Sequence, residues 1–81
     1  MDMNNVTNLE GAFEAVKNEL LQANKTHPLF TTRHEGYAVL LEEVDELWDD
    51  VKCNAPSMRP QSECVQIAAM AIKMLISPIW K

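Results

Sequence analysis

Apolar residues recur along this chain at i, i+3, i+4 and i+7 in three stretches, the signature of amphipathic helices. The first opens at the capping-box pattern Thr7-Asn8-Leu9-Glu10 and is expected to run to about Ala23. Leu9, Phe13, Val16, Leu20 and Leu21 form its stripe, with Ala12 beside them. Asn24-Lys25-Thr26-His27-Pro28 ends it, and Leu29-Phe30 is expected to tuck under the bundle. A second capping box, Thr32-Arg33-His34-Glu35, starts a helix that lasts to about Cys53. Its apolar residues Tyr37, Leu40, Leu41, Val44, Leu47, Trp48 and Val51 read as a core face. After the connection Asn54–Arg59, a third helix has Pro60 in its first turn and reaches Ile76, where Ser77-Pro78 stops it.

The pattern predicts an all-α fold, a three-helix antiparallel unit joined by short loops. The third helix cannot be satisfied inside that unit. From Cys64 to Ile76 only Gln66 and Lys73 are polar, so the helix is apolar nearly all round and needs burial all round. Val65, Ala69, Ile72 and Ile76 are expected to face another copy of the chain, giving a homodimer or homotetramer and a larger helical bundle. Fold-back of Pro78-Ile79-Trp80-Lys81 is the alternative cover.

Length and charge narrow the classes. Eighty-one residues make a single domain spanning 1–81, with a small core. A formal charge of −5 and scattered basic residues argue against nucleic acid as a partner. The longest apolar run is far short of a membrane span. Cys53 and Cys64 suggest no disulfide framework, His27 and His34 complete no zinc spacing with them, and no signal peptide is evident. A cytoplasmic protein is expected.

The candidate chemistry lies in the carboxylates. At about 100° per residue, Glu43 and Glu46 stand roughly 60° apart at one edge of the second helix's apolar stripe, and Asp50 continues the row. Like charges at this spacing destabilise a helix, and a hard divalent cation that favours carboxylate oxygens offsets the cost. Glu63 and Gln66 repeat the spacing on the third helix. The plainer reading is a solvated acidic face, with Glu63 only a favourable acid in a first helical turn.

His34-Glu35-Gly36-Tyr37-Ala38-Val39-Leu40-Leu41-Glu42-Glu43-Val44-Asp45-Glu46-Leu47-Trp48 resembles the Glu-Glu-x-x-Glu helix of the MazG-like all-α nucleoside triphosphate pyrophosphohydrolases. The resemblance covers roughly residues 27 to 76. It implies that Glu43, Glu46 and Glu63 bind Mg²⁺, with Mn²⁺ as an alternative, and that Glu42 leads the motif. Its second motif is Glu-x-x-Asp, and this chain has Gln66 in place of the Asp, which removes one negative charge from the site. The activity implied is hydrolysis of a nucleoside triphosphate to a monophosphate and pyrophosphate, with Glu42 or Asp50 orienting the water. Gln66 and Lys73 are candidate substrate contacts, Lys73 for a phosphate, with a snorkelling side chain as the alternative. His34 is a candidate for base or phosphate, against a capping or surface role. Tyr37, Trp48 and Phe30 are candidate base partners whose commoner fate is core packing. The competing reading is a weakened family member that binds nucleotides or acts as a helical interaction protein, and the third is a structural oligomer without a ligand.

Overall fold

The computed structural model describes residues 6–80, and every regular element among them is α-helical: α1 (Leu9–Thr26), α2 (Arg33–Lys52) and α3 (Met58–Ile76). Local chemistry sets each boundary. Asn8, not Thr7, caps α1, its Oδ1 accepting from the Gly11 amide at 2.7 Å. Thr32 caps α2 as expected, its Oγ1 accepting from the Glu35 amide at 3.0 Å. The Glu35 carboxylate reaches one residue further back than a capping box requires, accepting from the Thr31 amide at 2.8 Å. α2 closes in a Schellman turn, with Ala55 N donating to Asp50 O and Asn54 N to Val51 O. Asn54 stands at φ 53°, the left-handed position that asparagine tolerates better than most residues. The buried Asp50 carboxylate receives Arg59 at 2.8 Å and ties this turn to the first turn of α3.

α3 is the centre of the fold. α1 and α2 each pack on it and not on one another. Glu19 meets Gln66 and Ala23 packs on the cluster holding Met70, so α1 runs parallel to α3. Arg59 meets Asp50 at one end and Met74 approaches Gly36 at the other, so α2 runs antiparallel. Phe30, from the α1–α2 loop, is buried with Ala69 and Met70, and Val16, Leu20, Val39, Leu40 and Met74 pack around them. No helix among the described residues is long and apolar enough to cross a membrane.

Three expectations are corrected by this packing. Val65 and Ala69 do not wait for another copy: Ala69 is 0% exposed inside the protomer, and Val65 lies buried beside Ala12 and Val16 of α1. The large apolar side chains left uncovered on α3 are Met58 in its first turn and Ile72, Leu75 and Ile76 toward its end. Of the α2 stripe expected in the core, Leu40 and Leu47 turn inward but Tyr37, Leu41, Val44, Trp48 and Val51 are exposed, and Gly36, Val39, Glu43 and Asp50 take the inner face with the two leucines. α1 likewise exposes Leu9, Phe13 and Leu21 and buries Ala15. The chain after α3 does fold back. Ile79 is buried, its carbonyl accepts from Arg33 Nε at 3.0 Å, and Trp80 Nε1 donates to Met74 O at 2.9 Å. This segment covers the start of α2 and leaves Ile72 and Ile76 open; Lys81 lies outside the described residues.

Ala69→Arg is therefore expected to abolish folding of the protomer itself, because no solvent reaches that position. Ile72→Arg is expected to leave helicity and the urea midpoint close to the parent's. Circular dichroism on both variants checks the assignment; a folded Ala69→Arg protein would refute it.

Candidate metal centre and adjoining cleft

Rotation of α2 on α3 brings the carboxylates together. Glu43 is on the α3-facing arc and Glu46 follows almost one turn later, at the edge of that arc. Glu63, near the start of the antiparallel α3, comes up between them. One carboxylate oxygen from each of Glu43, Glu46 and Glu63 lies within 4.8 Å of the others. Glu63 Oε2 is buried and has no hydrogen-bond partner. Three acids at this range with a buried, unsatisfied oxygen form a hard-oxygen donor set suited to a divalent cation.

Electrostatics record the strain. Burial, followed by the contacts with the Glu46 and Glu43 carboxylates, pushes the Glu63 carboxyl up to about 7. Burial also raises Glu43, with the Glu46 charge next in effect and Glu42 adding a smaller one. Glu42 is exposed on the rim, near enough for its charge to be felt at Glu43. Asp50, on the same row of α2, is not part of the cluster of three; its carboxylate is engaged by Arg59.

An open cleft of about 590 Å³ adjoins the carboxylates, between α1 and α2 with α3 as its floor. Its α2 wall includes Glu35, Val39 and Glu43, its α1 wall Glu19, Gln22, Ala23 and Thr26, and the loop His27–Thr31 closes one end. Gln66 faces this cleft and turns toward α1, donating from Nε2 to Glu19 Oε1 at 2.8 Å. Lys73 lies further along the floor, 3% exposed, with its ammonium 5.0 Å from the centre of the Phe30 ring. His34 is exposed and stands outside the cleft lining, whereas His27 lines it.

Sequence reading brought forward Glu43, Glu46 and Glu63, and the fold places them together. Phe30, expected to tuck under the bundle, is buried and lines the cleft, whereas Glu19 and His27 were missed. Glu19 had a signal: it is a carboxylate on the arc of α1 that holds Ala15, Val16 and Ala23, where an acid has no reason to be without a partner. No family model, curated protein or solved structure matches the chain.

A carboxyl raised in the folded state favours the fold while it is protonated. That contribution is whole below about 4.5, the ordinary value, and is lost as pH rises through about 7. Metal-free protein is expected to melt at progressively lower temperature across this window. Glu63→Gln, neutral at every pH, is expected to flatten the slope in thermal unfolding scans, and an equally steep slope in the variant would place the titration elsewhere.

Proposed function

We propose that this protein is a divalent-metal-dependent nucleoside triphosphate pyrophosphohydrolase of the MazG-like all-α kind. The observation that carries the reading is the convergence of Glu43, Glu46 and Glu63 around a buried oxygen with no partner. Magnesium held there supplies charge neutralisation of a triphosphate and a bound water of lowered pKa. The three carboxylates are the residues that would hold it, and Glu63 must first give up its proton, so binding and deprotonation are linked. Glu42 on the rim is the remaining carboxylate available to orient the attacking water, since Asp50 is occupied by Arg59. Attack at the α-phosphorus breaks the α–β bridging bond and leaves a nucleoside monophosphate and pyrophosphate. The adjoining cleft gives the nucleoside a place beside the metal.

One observation favours a second reading. Gln66 spends its amide on Glu19, so the donor set has three charges where the resemblance implies four. A nucleotide-binding protein with little turnover is the outcome if three do not suffice.

The same reading includes a homodimer or homotetramer. Tyr37, Leu41, Val44 and Trp48 lie across the α3-facing arc of α2 from the cleft wall, and all four are exposed. An uncovered apolar face of this extent on a small chain fits a second copy of the chain. The free cysteines Cys53 and Cys64 and the nucleotide chemistry fit a cytoplasmic setting.

Pyrophosphate release from a panel of nucleoside triphosphates with Mg²⁺ is the deciding assay. Turnover is expected for the parent and loss of about a hundredfold or more for Glu43→Gln or Glu46→Gln, with the helical content of the parent kept. Metal without turnover selects the second reading. Absence of any metal-dependent rise in melting temperature rejects both. For assembly, Trp48→Glu is expected to shift the sedimenting species to monomer; unchanged mass would exclude the α2 face.

A further inference from the structure

Lys73 is the most unusual charged residue in the molecule. The residue is 3% exposed and lines the cleft; its carbonyl accepts from Ser77 Oγ at 2.7 Å, while its ammonium makes no hydrogen bond or ion pair among the described residues. The ammonium stands at the floor of the open cleft with the Phe30 ring 5.0 Å away, a contact that leaves its three donors unused. An acceptor supplied by a ligand would complete it.

Position decides what the acceptor belongs to. From Glu63 to Lys73 the helix advances ten residues, a rise of about 15 Å. Phosphates held at Glu43, Glu46 and Glu63 lie at the opposite end of the cleft from Lys73. Between the two ends stands Glu19, fixed by Gln66 and presenting a carboxylate to the cleft. Carboxylates accept and do not donate, so the middle of the cleft suits hydroxyl groups. At the far end Phe30, Val39 and Met70 form the apolar wall around Lys73, His27 and Thr31 stand at the loop, and the Glu35 carboxylate there is engaged by the Thr31 amide at 2.8 Å. With phosphates at the acids and the sugar beside Glu19, the distal edge of the base arrives at Lys73.

That edge differs between bases. Guanine and thymine present a carbonyl oxygen there, as uracil and hypoxanthine do, whereas adenine and cytosine present an amino group. Lysine has three donors and no acceptor. A carbonyl satisfies the ammonium; an amino group meets it donor to donor and leaves it unpaired. Resting on the pyrophosphohydrolase reading, we propose that Lys73 reads the base and selects nucleotides whose distal edge carries a carbonyl, with Glu19 contacting the sugar. The substrate class is then the guanine, hypoxanthine, uracil and thymine nucleotides.

Calorimetric titration of the full chain in Mg²⁺ with the α,β-methylene analogues of GTP, UTP, ATP and CTP tests this. The GTP and UTP analogues are expected to bind about tenfold or more tightly than the other two. Lys73→Met is expected to bring the ratio to about one by losing affinity for the carbonyl-bearing analogues. Lys73→Gln, whose amide can present donor or acceptor, is expected to do the same and serves if the Met variant does not fold. Equal binding of all four by the parent, a preference for the amino bases, or a preference that survives in the Lys73 variants overturns the inference and leaves the pyrophosphohydrolase reading standing. No binding of any analogue overturns both.

Discussion

The close approach of α2 to α3 at Gly36 is the constraint from which the rest follows. A Cβ on Gly36 would stand 3.0 Å from Met74 Cγ and 3.1 Å from Phe30 Cδ2, tighter than ordinary van der Waals contact. With no side chain to hold the helices apart, α2 lies down on α3 at this point, and its rotation is fixed. Residues seven and eleven positions later, Glu43 and Leu47, fall on the same arc and must also face α3. Leucine gains from that. Glutamate is desolvated by it, and burial is the leading cause of the raised Glu43 and Glu63 carboxyls. The packing of Phe30, Ala69 and Met70 offsets what the carboxylates cost, since apolar burial is the main favourable term in a domain of this size. Asp50, at the far end of the arc, is buried as well, and its carboxylate is paired with Arg59.

The sequence announced the helices and their ends because these depend on local chemistry. Thr32, the Asn54 turn and Ser77-Pro78 act through neighbours a few residues away, and each is where the pattern put it. Rotation is a different matter. Periodicity shows which residues share a face, and Tyr37, Leu41, Val44 and Trp48 do share one, but it does not say which partner that face meets. α2 has two stripes, a wide aromatic one and a narrow one of Gly36, Val39, Leu40 and Leu47 interleaved with acids. The broader stripe reads as core; the narrower one wins inside the protomer because glycine allows contact there. For α3 the apolar circumference was correctly read as needing cover on several sides. What remained hidden was that α1 and α2 would take separate flanks, burying Val65 and Ala69 within the chain.

The candidate site was legible to the same degree and for the same reason. Glu43 and Glu46 share a helix, so their spacing alone predicts their proximity, and Glu63 follows once α3 is known to run antiparallel beside them. Lys73 and Gln66 share a side of α3, which spacing also gave; that Gln66 turns to Glu19 depends on a contact across 47 residues of sequence. His34 and His27 show the limit. Both flank the α1–α2 loop, yet one belongs to the exposed first turn of α2 and the other to the cleft end, a difference set by the path of Pro28–Phe30 and by Ser77, which holds the Phe30 amide at 3.0 Å.

On the metal reading of the site, a proton and a cation would be alternative occupants of the space among Glu43, Glu46 and Glu63. Each would neutralise charge that the fold has withdrawn from water around the buried Glu63 oxygen. Burial and the neighbouring Glu46 and Glu43 carboxylates push the Glu63 carboxyl up to about 7, toward its protonated form. A hard cation bound there would displace that proton, so part of its intrinsic affinity would go into deprotonation. The raised carboxyl thus records how strongly the fold favours neutralisation at this point. The close approach of α2 to α3 at Gly36 buries these carboxylates, so the same contact that completes the core tunes the site.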